Sequence, residues 1–106
     1  TVHAIGGHSR GLQYVRVRTA AGWLVLASDA AHFYENVFAR KPFPIVVDLQ
    51  NMLDGFAVLE RLASHSRLIV PGHDPLVRVL YPAEIAPHIF RLDHGPIRDP
   101  KQEVGA

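Results

Sequence analysis

Three short turns carry the side chains in this chain best suited to chemistry: Gly6-Gly7-His8, Ser28-Asp29-Ala30 and Pro71-Gly72-His73. Each follows a short apolar run that reads as a β-strand. Imidazole nitrogen and carboxylate oxygen are the usual ligands of zinc and similar divalent ions. Two histidines and an aspartate meeting at one edge of a sheet would supply most of a hydrolytic metal site. His8, Asp29 and His73 are therefore the candidate metal ligands. Each also has a plain alternative. His8 suits a structural turn, Asp29 suits the N-cap of a short helix running to Asn36, and His73 suits a loop without a role. The remaining histidines have weaker settings. His65 falls in the last turn of an expected helix, where the dipole favours a cation, and His3, His88 and His94 read as surface residues.

The elements that must position these turns follow from periodicity. Residues 2–5 read as a short strand ended by Gly6-Gly7. Residues 12–19 read as a second strand, with Gln13, Val15 and Val17 alternating with Tyr14, Arg16 and Arg18. Ala20-Ala21-Gly22 supplies a hairpin connection, and the almost wholly apolar 23–27 reads as a strand covered on both faces. Residues 28–36 form a loop or one helical turn. Pro42 and Pro44 make 40–47 irregular. Asp48 is the expected N-cap of a helix over 49–65, with Leu49, Met52, Leu53, Phe56, Leu59, Leu62 and Ala63 on one face. A short buried strand at 68–70, a late strand at 88–92 and a frayed 101–106 complete the pattern.

That order of elements predicts that the three turns converge. The hairpin brings Asp29 opposite Leu12 or Gln13, close to His8. Strand 23–27, helix 49–65 and strand 68–70 make a βαβ unit, so the two strands run parallel and finish at the same edge. Asp29 and His73 lie just past those ends, where α/β sheets favour ligand sites. The expected spacing of the three sets of ligand atoms is about 4–7 Å.

Composition narrows the function classes. The chain has 106 residues, 48% hydrophobic and 20% charged, with a formal net charge of +1, which is ordinary for a soluble domain. Scattered charge gives no reason to expect nucleic-acid partners. No apolar stretch reaches the ~18 residues that span a bilayer, so no membrane role is expected. The absence of cysteine excludes disulfides, thiolate zinc sites and a cysteine nucleophile. A cytoplasmic setting and a small-molecule substrate are the expectation.

At the three turns the sequence resembles the second half of a metallo-β-lactamase-fold hydrolase. The segments are 6–13 (GGHSRGLQ), 26–30 (LASDA) and 69–77 (IVPGHDPLV). It is most similar to the N-acyl homoserine lactone lactonase family, through Ser28-Asp29-Ala30 followed by Phe33-Tyr34-Glu35-Asn36, and Tyr81-Pro82 after the last histidine. The resemblance implies an α/β fold: the C-terminal half of an αββα sandwich, a mixed sheet with one main helix, over residues 1–95, with 96–106 as a tail. With only part of the sandwich present, it implies a broad exposed apolar surface on the face carrying Val15, Val17 and part of 23–27, away from helix 49–65. It implies two divalent metal ions, zinc expected. His8 would complete the first site, Asp29 would bridge, and His73 would complete the second. It implies lactone opening by attack of a metal-bound hydroxide. Asp29, His32 and Tyr34 are the catalytic candidates, because related lactonases place a tyrosine three residues after the bridging aspartate. Here that position is His32, with Tyr34 nearby.

The family's main motif, His-x-His-x-Asp-His, is absent from this chain. The chain by itself is therefore expected to be inactive, as a fragment of a metal-dependent hydrolase. A thioester, phosphotriester or β-lactam hydrolase of the same fold, or a non-catalytic truncated paralogue, are the alternative readings.

Overall fold

The computed structural model describes residues 1–83 and 86–104. It contains strands β1 (Val2–Ala4), β2 (Gln13–Thr19), β3 (Gly22–Ser28) and β4 (Ile69–Pro71). Its helices are α1 (Tyr34–Phe38), α2 (Leu49–Leu62), α3 (Leu76–Leu80) and α4 (Pro100–Val104), with a 3₁₀ turn at Ser66–Leu68 before β4. The architecture is mixed α/β: one four-stranded sheet of order β1-β2-β3-β4 and one main helix.

The hairpin and the parallel crossover are those that the sequence predicts, and β1, whose pairing the sequence leaves open, takes the edge beside β2. β1 pairs antiparallel with β2, β2 pairs antiparallel with β3, and β3 pairs parallel with β4 across the α2 crossover. Val25 and Ala27 on one face and Leu24 on the other are buried, as expected of a strand covered on both sides. The helix begins at the predicted cap, with Asp48 Oδ1 accepting from the Asn51 N–H over 2.9 Å. Met52, Phe56 and Leu59 bury one α2 face in the core, together with Leu68 and Ile69.

Several expectations require correction. The helix stops at Leu62, not His65, because Ser64 is captured by the sheet: its N–H donates to Trp23 O (3.0 Å) and its Oγ accepts from Trp23 N–H (2.7 Å). His65 is consequently not in a helical last turn. Its Nδ1 accepts from Arg67 N–H and caps the 3₁₀ turn. Leu49 is 51% exposed at the first turn of α2, off the buried face. No strand forms at 88–92 among the described residues. There Ile89 N–H bonds to Ala86 O in a local turn, and Arg91 N–H bonds to Pro82 O.

The C-terminal segment is not frayed up to Val104. Asp99 Oδ1 accepts from Lys101 N–H, Pro100 is buried at the start of α4, and α4 packs on α1 with Lys101 Nζ 5.4 Å from the Phe38 ring. Gly105 and Ala106 of the expected tail lie outside the described residues. The apolar face away from α2 is exposed only in part. Val2 and Val17 are open, whereas Leu24 and Val70 on the same face are buried. No helix among the described residues is long and apolar enough to cross a membrane.

Candidate metal centre

The three turns meet through close backbone packing. Gly7 lies in the left-handed region (φ +116°), and a Cβ there would come within 2.7–2.9 Å of Met52 backbone and side-chain atoms. Only glycine lets this turn sit directly on the first turns of α2. Gly7 O then accepts from both Val47 N–H (2.7 Å) and Asp48 N–H (2.9 Å). The first turn is thereby fixed to the start of the helix, and His8 projects beside it.

The second and third turns are bonded to each other. Ser28 ends β3 with φ +53°, a conformation that costs a non-glycine residue about 1–2 kcal/mol, and this redirects the chain at Asp29. Gly72 packs against it so tightly that a Cβ would lie 2.6 Å from Ser28 O. Gly72 N–H donates to Ala31 O and His73 N–H donates to His32 O, each at 2.9 Å. Asp74 adds a further link: its Oδ2 accepts from Tyr34 N–H (3.1 Å) and its Oδ1 from Leu76 N–H (2.9 Å). One carboxylate therefore ties α1 to α3.

Asp29 is the centre of the resulting cluster. His73 Nε2 donates to Asp29 Oδ1 over 2.8 Å. His8 Nε2 lies 3.5 Å from Asp29 Oδ2, and His32 Nε2 lies 3.5 Å from Asp29 Oδ1. The imidazoles also touch one another: the His32 ring centroid is 4.3 Å from His73 and 5.4 Å from His8. Ligand atoms of His8, Asp29 and His32 all fall within 4.8 Å of one another. His8 and His73 both reach Asp29, at 3.5 and 2.8 Å, but the group with mutually close ligand atoms takes in His32, which the sequence did not offer as a ligand, in place of His73.

Electrostatics within the cluster follow from this crowding. Burial holds the His32 imidazole below its usual pKa. His73 and His8 act in the same direction, and Asp29 opposes them. The His32 ring stacks on Phe43 at 3.8 Å, and its buried Nε2 has no hydrogen-bond partner. His8 has its other ring nitrogen engaged, with Nδ1 donating to Ile45 O over 2.7 Å.

Asp29 is not the N-cap of a helix. The cap position of α1 is Phe33, whose N–H donates to Asn36 Oδ1 (2.7 Å), and Asn36 Nδ2 donates to Lys41 O. Tyr34 is not with the histidines. It is 1% exposed, stacks on Phe38, and keeps a buried hydroxyl without a hydrogen-bond partner. Burial pushes its phenol above the usual range, with Tyr81 and Asp74 adding to the shift. Its visible role is packing beneath the α1 loop.

Two supporting residues escape a reading of the sequence. Phe43 and Ile45 lie in the proline-broken segment 40–47, which has no periodicity to interpret. Yet Phe43 forms the floor under His32, and the Ile45 carbonyl orients His8. The only available signal was negative: Phe43 between Pro42 and Pro44, followed by Ile45, Val46 and Val47, makes a stretch too apolar for a free loop. No protein-family model, curated protein or solved structure matches this chain.

Proposed function

We propose that this chain is the C-terminal part of a metallo-β-lactamase-like hydrolase, contributing His8, Asp29 and His73 to a dinuclear metal centre that opens a lactone of the N-acyl homoserine lactone type. The observation that carries the reading is the convergence of three histidines on the Asp29 carboxylate at the ends of β3 and β4. The donor set fits zinc, which takes neutral imidazole and carboxylate. The unpartnered, buried His32 Nε2 facing Asp29 fits a cation as well.

Bound divalent ions would supply a water of lowered pKa and a Lewis acid for the carbonyl oxygen. The chain's own residues do the remaining work. Asp29 presents both carboxylate oxygens, one towards His8 and one towards His32 and His73. His73 is the exposed member, and its ring nitrogen can exchange the Asp29 hydrogen bond for an ion. His32 stands three residues after the aspartate, where the lactonases it resembles carry a carbonyl-binding tyrosine.

The test uses the reading frame continued upstream of Thr1, expressed with zinc. The reading expects an encoded His-x-His-x-Asp-His segment and turnover of N-acyl homoserine lactones. It expects Asp29→Asn to lower turnover by several orders of magnitude with loss of at least one metal. Asparagine keeps the shape but is a weaker ligand. Near-native turnover and metal content in Asp29→Asn, or an upstream frame without those histidines, would remove the proposal.

A further inference from the structure

We infer that this chain on its own captures one divalent transition-metal ion, held by His8 Nε2, Asp29 and His32 Nε2, with His73 orienting the carboxylate rather than ligating. The inference concerns metal capture alone and holds whatever the substrate is.

Three features of the cluster support it. The first is the tautomer of His8. Ile45 O can only accept, so the 2.7 Å contact fixes the proton on Nδ1. In the neutral ring this leaves a lone pair on Nε2, which faces the Asp29 Oδ2 acceptor at 3.5 Å. Two acceptors aimed at each other are repulsive unless a cation lies between them. A backbone carbonyl holding the far ring nitrogen is also the usual way in which a metal-binding histidine is oriented. The second feature is His32. Its Nε2 is buried, aimed at Asp29 Oδ1 from 3.5 Å, and unpartnered. Leaving such an atom unsatisfied costs about 1–3 kcal/mol, and a native structure that carries one needs a reason. A bound ion supplies that reason.

The third feature separates the ligands from the orienting residue. Bonds of about 2.0–2.1 Å in a tetrahedral site place two ligand atoms about 3.3 Å apart. The His8 contact with Asp29 Oδ2 and the His32 contact with Asp29 Oδ1, both 3.5 Å, lie near that spacing, one on each carboxylate oxygen, and the three ligand atoms fall within 4.8 Å of one another. The His73 contact of 2.8 Å does not. It is a hydrogen-bond length, and while that nitrogen donates its proton to the carboxylate in the isolated chain it offers no lone pair. The ligating role proposed for His73 begins only when a second ion displaces this bond. His8, Asp29 and His32 make three protein ligands, the number that a zinc site with one open position needs. His32 therefore replaces, within this chain, a ligand that would otherwise have to come from elsewhere.

Titration of the purified chain with Zn²⁺ by calorimetry, and with Co²⁺ by visible absorption, tests the assignment. Expected are one ion per chain and a cobalt band of tetrahedral intensity. His32→Ala and the bulkier, polar His32→Gln should each weaken binding at least a hundredfold and abolish the band. His73→Ala should keep the stoichiometry and the band, with a loss of roughly tenfold, as for an outer-shell partner. Circular dichroism establishes that each variant is folded, and between the two His32 variants at least one should be. No binding by the folded wild-type chain at 100-micromolar-scale metal would overturn the inference and leave His8 and Asp29 as an imidazolium–carboxylate pair only. Losses in His73→Ala equal to or greater than those in the His32 variants would overturn it as well, in favour of His73 as the ligand.

Discussion

Gly72→Ala tests the feature that brings the third turn to the second. The added Cβ would meet Ser28 O at 2.6 Å and Ser28 C at 2.9 Å, whereas ordinary contact begins at 3.4 Å. Both obstacles are backbone atoms, so no side chain can swing away. Ser28 is already in the left-handed region, and the two turns are bonded on either side of the clash through Ala31 O and His32 O. Relief requires the turns to part by most of an ångström, stretching those 2.9 Å bonds. Overpacking of this kind costs typically about 1–3 kcal/mol. The reduced freedom of the unfolded chain returns about 0.4–1 kcal/mol, so a net loss of about 1–1.5 kcal/mol is expected. With an unfolding entropy of about 2.1 cal/mol/K per residue, that loss lowers the melting temperature of a chain this size by about 4–7 °C. Thermal and urea unfolding followed by circular dichroism measure it. Gly11→Ala is the control, because nothing lies within 4 Å of a Cβ there and its φ is not positive. It should be neutral or slightly stabilising. A Gly72→Ala melting point within 2 °C of wild type would refute the packing account, and so would equal shifts in the two variants.

Removing the α2 cap by Asp48→Ala should cost about 1 kcal/mol, since Asn51 N–H loses its acceptor; urea unfolding reads this, and Asp48→Asn should restore most of it. Tyr81 gives a pH dependence. Burial pushes its phenol up to about 12, with Arg67 partly opposing, while an unfolded tyrosine titrates near about 10. The unfolded chain therefore loses this proton first, and stability that is complete below pH ~10 falls as pH rises towards the folded value. Alkaline denaturation curves should flatten in Tyr81→Phe. At neutral pH the same variant should be no less stable than wild type, because the hydroxyl it removes is buried without a hydrogen-bond partner.

The hairpin, the parallel crossover and the Asp48 cap were legible in the sequence because each depends on local chemistry. Period-two alternation, a glycine hairpin, a capped amphipathic stretch and short apolar runs specify their elements with little help from elsewhere. From those alone the meeting of His8, Asp29 and His73 follows as topology. What ended the helix at Leu62 was not local: Ser64 bonds to Trp23, which is distant in sequence. The order of residues 100–104 is likewise decided by packing on α1. Within the cluster the same division holds. Sequence placed the ligand types at one edge. The tertiary structure alone decided that Phe43 lies under His32, that Ile45 O fixes the tautomer of His8, and that Tyr34 turns into the core while His32 turns towards Asp29. Those outcomes depend on distances of a few tenths of an ångström between segments that share no periodicity, and no pattern along the chain encodes them.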